Sequence, residues 1–305
     1  MEKMKFEEFT NEVVEKIREF LPESFATANV KLNVVRKNNN IQLTGLSIES
    51  VEKNICPTIY LEKFYEDYEN GEEMGEILSR IARVRMNHEL SEKFDVTQIT
   101  NFEEAKKRLI PRLVNADMNK ELLEERPHKL VADLAITYYI LLDKSFDGNA
   151  SAAVTNDIMK IWNVSLEEVH EVAISNLPEL LPSTLTEMME VLAGMIGKDK
   201  EDVKEMVAGE DEREMYVLTN KTKANGATAL LDENMMKEIV NKFGKFYILP
   251  SSIHEVIIVP SDTDCYVDTF QDIVCEVNDT TVKLEERLSD HVYSYSLEKG
   301  LYLVK

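Results

Sequence analysis

The sequence predicts an α+β protein, with an N-terminal helix–hairpin–helix region followed by two mixed strand and helix units. Three observations predict it. Apolar residues recur at helical spacing in some stretches and alternate with polar residues in others, so both kinds of element are present. Asparagine, glycine and proline signals separate the stretches. The 305 residues are 44% hydrophobic and 30% charged, which is globular and long enough for two or three compact units.

Phe6, Phe9, Val13, Ile17 and Phe20 fall on one helical face, so residues 4–20 read as an amphipathic helix that Pro22 ends. Asn29 to Val35 alternates polar and apolar, and residues 41–48 do so less strictly. Lys37-Asn38-Asn39-Asn40 between them predicts a β-hairpin, because asparagine tolerates left-handed backbone angles. After Pro57, Thr58 is placed to cap a helix through TIYLEKFYEDYEN that stops at Gly71. A second helix over residues 72–92 turns Ile77, Ile81 and Val84 inward and leaves Arg80, Arg83 and Arg85 on a solvated face. Residues 102–109 form a shorter helical piece before Pro111.

Residues 130–142 are apolar on both sides and read as a buried strand, with a buried helix as the alternative. A turn over 143–149 leads to a helix at 156–162. Ser165 and Glu168 have capping-box spacing and open the helix SLEEVHEVAISNL, which Pro178 and Pro182 close. Residues 183–213 read as two helices about Gly197. From Met215 the order is strand, turn, the short apolar ATALL, a helix at 233–243, strands at FYIL and 256–259, a helix at 266–277 and a hairpin of 291–296 with 301–304. The expected organisation is therefore an N-terminal region at 1–100, a middle unit at 101–182, a helical connector at 183–213 and a C-terminal unit at 214–305. Asn149 to Lys160 and Asn225 to Lys237 share small residues ahead of a helix carrying Met-Lys, either a duplicated unit or a chance likeness of two turns.

Charge narrows the function classes. With 57 acids against 35 bases the net charge is −22, which repels phosphate backbones and anionic lipid, so nucleic acid is disfavoured as a partner. No stretch has the length and apolarity of a membrane span, and charges interrupt the N-terminus throughout, so the expected location is cytoplasmic. Cys56, Cys265 and Cys275 make neither a disulfide framework nor a zinc spacing. No cofactor and no metal is expected.

The sharpest candidate chemistry lies at Pro250-Ser251-Ser252-Ile253-His254-Glu255, where hydroxyl, imidazole and carboxylate crowd together. Ser251 or Ser252 as nucleophile, His254 as base and Glu255 as its orienter would make a hydrolase. The competing reading is a turn in which the serines hold backbone N–H groups. No GxSxG elbow is present, and neither His254-Glu255 nor the His88-Glu89 and His170-Glu171 pairs have HExxH spacing. Asn115, Asp117, Asn119, His128 and Asp133 form a second polar set, in which the Asn and Asp oxygens suit a cation or polar ligand, or cap the helix that follows. Met188, Met189 and Met195, with Met235 and Met236, either line an adaptable groove or fill a core.

The stretches PTIYLEKFYEDYENG, RLVNADMNKELLEERPHKLVADLAITYYI, TNDIMKIWNVSLEEVHEVAISN, MYVLTN, NGATALL, YILPSSIHEVIIVP and LSDHVYSYS together resemble a large bacterial family of unknown function, about 300 residues long and typical of Gram-positive gut-type anaerobes. The resemblance covers nearly the whole chain and implies a bacterial cytosolic protein, with no activity or catalytic residue to carry over. The sequence thus favours a non-enzymatic binding or regulatory protein, with a protein as partner. The alternative is a hydrolase using His254 with Ser251 or Ser252.

Overall fold

The computed structural model describes residues 3–50, 56–87, 94–142, 151–206, 214–261 and 267–304. The fold is α+β, and the chain separates into two compact units. One comprises Met1–Lys37 and Ile41–Val96, the other Asn38–Asn40 and Thr97–Lys305.

In the smaller unit, α1 (Phe6–Lys16) precedes the hairpin β1 (Asn29–Arg36) and β2 (Gln42–Glu49), to which the short β3 (Thr58–Tyr60) adds a third antiparallel strand. Helices α2 (Glu62–Glu69) and α3 (Met74–Asn87) follow. Phe9, Val13, Leu46, Ile48, Ile77 and Ile81 are buried together in one core. Two expectations change here. Thr58 opens a strand, not a helix, because Ile59 pairs with Leu46 and buries its side chain; the helix starts only at Glu62. Arg85 is inward: it is 1% exposed, its Nε donates to the Ile48 carbonyl, and its guanidinium lies over the Phe25 ring. Residues 88–92 of the expected second helix lie outside the described residues.

The larger unit begins with α4 (Thr97–Thr100) and α5 (Phe102–Ala105) and continues through β4 (Leu109–Asn115), α6 (Lys120–Glu124), β5 (His128–Val131), β6 (Leu134–Leu141) and β7 (Ser151–Ala153). β6 pairs with β4 on one side and with β5 and then β7 on the other. Pro111 sits inside β4, where its missing N–H is tolerated because β4 is an edge strand. The apolar run expected as one strand is two, broken at Ala132, whose φ is 53°. The turn expected at 143–149 lies outside the described residues.

Next come α7 (Asn156–Trp162) and α8 (Leu166–Leu180). Half of the expected capping box forms, since the Glu168 N–H donates to Ser165 Oγ at 3.1 Å. Pro178 does not close α8 but lies within its last turn. The chain then gives β8 (Ser183–Glu187), α9 (Met188–Ile196) and α10 (Lys200–Met206), followed by β9 (Tyr216–Asn220), α11 (Glu233–Phe243), β10 (Phe246–Ser252), β11 (Glu255–Pro260), α12 (Val267–Thr280), β12 (Tyr293–Ser296) and β13 (Gly300–Leu303). β8 replaces the start of the expected helical connector, because its backbone finds a partner in β9 over five residue pairs. The six strands are ordered β13-β12-β10-β11-β9-β8, all antiparallel.

One face of each sheet feeds a single core. Leu113, Ile136 and Tyr138 from the first sheet are buried with Leu218, Ile248 and Ile258 from the second, together with Val169 of α8 and Ile239 of α11. Tyr247, Leu249 and Val259 on the other face of the six-stranded sheet pack against Phe270 and Val274 of α12. The two similar stretches diverge in backbone: Ser151–Ala153 is strand, whereas Gly226–Leu231 is a 3-10 helix. They converge at the helix cap, where Thr155 accepts from the Ile158 N–H and Asp232 accepts from the Asn234 and Met235 N–H groups.

Candidate functional site

His254 lies in the two-residue connection between β10 and β11, with Ser252 paired to Glu255 across it. The strand register shifts between Pro250 and Ser252, so Ser251 is the extra residue of a bulge. The imidazole is committed to the backbone. Its Nδ1 accepts the Asn225 N–H at 3.1 Å, which places the proton of the neutral ring on Nε2. That nitrogen faces Glu286 Oε1 at 3.9 Å. Ser252 Oγ accepts the His254 backbone N–H at 3.0 Å, and Ser251 Oγ reaches Glu255 Oε1 at 3.5 Å. The turn is closed from below by Thr219, whose hydroxyl donates to the His254 carbonyl at 2.7 Å, and by Gly226. A Cβ on Gly226 would lie 2.0 Å from Thr219 Oγ1 and 2.3 Å from the His254 carbonyl oxygen, so only glycine fits.

The second polar set divides three ways. Asn115 Oδ1 accepts the Met118 N–H, and Asn119 donates to the Asn115 carbonyl and to Asn38 and Asn39 Oδ1. Asn119 Oδ1 in turn accepts the Asn39 N–H at 2.8 Å, so a buried amide cluster joins these residues. Asp117 points to solvent and pairs with Lys120. Asp133 belongs elsewhere: it gathers Tyr293, His291 and Ser289, none of which was singled out from the sequence as a site residue.

Asp133 occupies the turn between β5 and β6, and its carbonyl accepts the Ala116 N–H. Its carboxylate accepts from Tyr293 Oη at 2.5 Å, from His291 Nδ1 at 2.8 Å and from Ser289 Oγ at 3.2 Å. Ser289 and His291 lie at the bend that leads into β12, and Tyr293 opens that strand; the spacing of two between them is the signal in the sequence that joins them. Asn278 of α12 fixes the segment by donating to the Ser289 carbonyl and to Asp290 Oδ1. Burial, then the bond to Asp133, pushes the Tyr293 phenol far above its ordinary range and keeps it protonated as a donor. Because the carboxylate is an acceptor, the proton of a neutral His291 sits on Nδ1. Its side chain is 56% exposed, so Nε2 offers a lone pair to solvent. Ser289, 2% exposed, also accepts the His291 backbone N–H, so its hydroxyl serves the turn. The arrangement holds an imidazole as a hydrogen-bond acceptor or proton acceptor at the surface.

A third histidine, His170, takes its Nδ1 contact at 3.0 Å from the buried Tyr138 hydroxyl. Burial, then the nearby Lys129, lowers its pKa. His88 and Cys265 lie outside the described residues. Among the described residues no three His, Cys, Asp or Glu side chains assemble as metal ligands, and no helix is long and apolar enough to cross a membrane.

The methionines divide as well. Met236 is fully buried in the core of the larger unit and Met235 packs against that core, so this pair fills space. Met188 and Met189 are half-buried on α9, and Met195 is 78% exposed. A family model described as Family of unknown function (DUF5688) matches residues 6–297. Neither the curated proteins nor the solved structures contain a match to the chain.

Proposed function

The chain belongs to the DUF5688 family of unknown function, and from that premise we propose that it is a non-enzymatic binding or regulatory protein whose partner is another protein. The observation that supports this reading is α9. Its sequence MMEVLAGMI carries one charge, Glu190, yet among its residues only Ala193 is buried. Met195 and Ile196 at its end are 78% and 49% exposed, and Met206 of α10 is 63% exposed. Gly197, with φ at +66°, ends the helix in the left-handed conformation that a residue with a side chain adopts at a cost. Water in contact with so apolar a helix is unfavourable, and a partner's apolar surface would replace it. Methionine suits that task because its unbranched thioether adapts to the surface it meets.

The alternative, a hydrolase using His254 with Ser251 or Ser252, has less support. One imidazole nitrogen accepts a backbone N–H, and the Ser252 hydroxyl accepts another. The deciding experiment is affinity capture from native cells with wild type and with Met195→Glu/Met206→Glu, both shown to be folded by circular dichroism. The expected result is a protein retained by wild type and lost, by about tenfold or more in affinity, from the charged variant. Equal capture by both, together with ester, peptide or phosphoester hydrolysis that His254→Ala abolishes, would replace the binding reading with the hydrolase.

A further inference from the structure

We propose that Arg112 and Arg126 form a binding site for an oxyanion, the phosphoryl or carboxylate group of a small molecule, on the outer face of the sheet β4-β6-β5. Ile110, Arg112 and Val114 alternate onto that face of β4, opposite Tyr139, Thr137 and Ala135 of β6. Apolar clusters cover its two ends, with Ile110 and Leu141 under α8 and with Val114 and Ala135 under α6. Between them the face is cationic. The Arg112 guanidinium lies 3.9 Å from the Tyr139 ring centroid and that of Arg126 lies 5.4 Å from the same centroid. Arg126 donates to the Tyr139 hydroxyl, and Arg112 Nη2 donates to Ser151 Oγ at 2.7 Å.

The chain has 57 acids for 35 bases, and Arg80 and Arg287 each have a carboxylate partner. Among the described residues no carboxylate pairs with Arg112 or Arg126, and Arg112 Nε is buried without an acceptor. Two like charges over one ring repel, and a buried N–H with no partner costs free energy. Burial disfavours the charge on Arg112, the neighbouring Tyr139 partly offsets this, and the Arg126 cation opposes the charge more weakly. An oxyanion between the two forks would reverse these penalties together. It would screen the repulsion, accept charge-assisted hydrogen bonds from planar donors, and leave Tyr139 and Ser151 to hold the guanidinium planes. A polyanion is a poor fit, because two cations on a chain of net charge −22 do not steer a phosphate backbone.

The test uses the full chain at constant ionic strength, with chloride as the control anion. Inorganic phosphate and acetate are titrated separately while the melting temperature and the NMR signals of the arginine side chains are followed. Saturable stabilisation by one of the two, beyond chloride, is expected, and it identifies which oxyanion the site takes. Arg126→Gln should weaken that binding by about tenfold or more, and Arg126→Lys should recover only part of it, since lysine keeps the charge but loses the fork. Arg126 is chosen because Arg112 is woven into the strand. Stabilisation no greater than that of chloride, or equal phosphate and acetate responses in wild type and Arg126→Gln, would overturn the site and leave the pair as a cation cluster satisfied by water.

Discussion

Two histidines in the larger unit stand two residues after a serine and close to acids, and they are held in opposite ways. His254 is an acceptor: Nδ1 takes a backbone N–H from Asn225, 29 residues away, and the ring completes a turn. His291 is a donor: Nδ1 meets the carboxylate of Asp133, 158 residues away, and the other nitrogen is left to solvent. In both cases the neighbouring serine hydroxyl accepts the backbone N–H of the histidine, at 3.0 Å. Crowding of hydroxyl, imidazole and carboxylate in sequence therefore says little about which of them meet. The orientation of an imidazole is set by whatever donor or acceptor the fold delivers to it.

The most severe way to break one half of this comparison is Gly226→Ala. The new methyl would displace Thr219 Oγ1 and the His254 carbonyl, both of which are needed to close the β10–β11 turn. A loss of roughly 3 kcal/mol in unfolding free energy is expected. Urea denaturation measures it, and a tryptophan- or tyrosine-detected midpoint unchanged from wild type would mean that the turn is not held as described. The His291 cluster, on separate backbone, should keep its hydrogen bonds in whatever fraction remains folded.

A smaller effect tests the other half. Asp133→Ala removes the acceptor of the buried Tyr293 hydroxyl, which is 1% exposed, and should cost about 2 kcal/mol. Tyr293→Phe alone removes one of three donors from the carboxylate and should cost about 1 kcal/mol. The double variant should be more stable than the sum of the two predicts, because phenylalanine no longer needs the partner that alanine took away. Strict additivity in denaturant midpoints would separate the two residues energetically and dissolve the cluster.

How much of this was legible in the sequence depends on where each element finds its partner. Helix α11 matches the expected 233–243, because its cap, its apolar stripe and Gly244 are all local. The β1–β2 hairpin is legible for the same reason, with Asn39 and Asn40 both at positive φ in its turn. β3 and β8 were not. STLTE and TIY are too short to carry a period, and they become strands only because β9 and β2 offer them an edge. Arg85 was placed outward by its charge, yet the Ile48 carbonyl and the Phe25 face accommodate it inside. The site residues follow the same rule. Ser251, Ser252, His254 and Glu255 were found together because they are contiguous, and the structure gives most of them turn contacts. Asp133 is grouped in sequence with Asn115, Asp117 and Asn119 as polar residues, whereas its carboxylate meets residues from the far end of the chain. The spacing of Ser289, His291 and Tyr293 puts three polar groups close together, but says neither that a bend turns them to one side nor what faces them.

The mildest perturbation is the one that contrasts the two imidazoles directly. His254→Ala strips the acceptor from the Asn225 N–H in a half-buried turn and should destabilise by about 1 kcal/mol. His291→Ala removes an exposed ring whose carboxylate partner keeps Tyr293 and Ser289, so its effect should stay within about 0.5 kcal/mol. The order matters more than the sizes. A ring held to the backbone is retained for the fold, whereas a ring aligned by a carboxylate and turned to solvent gives the fold little. If denaturant midpoints place His291→Ala below His254→Ala, the exposed imidazole is structural. If they fall in the expected order, the alignment of His291 by Asp133 is not explained by stability, and its solvent-facing nitrogen becomes the atom to follow by NMR titration as anions and captured partners are added.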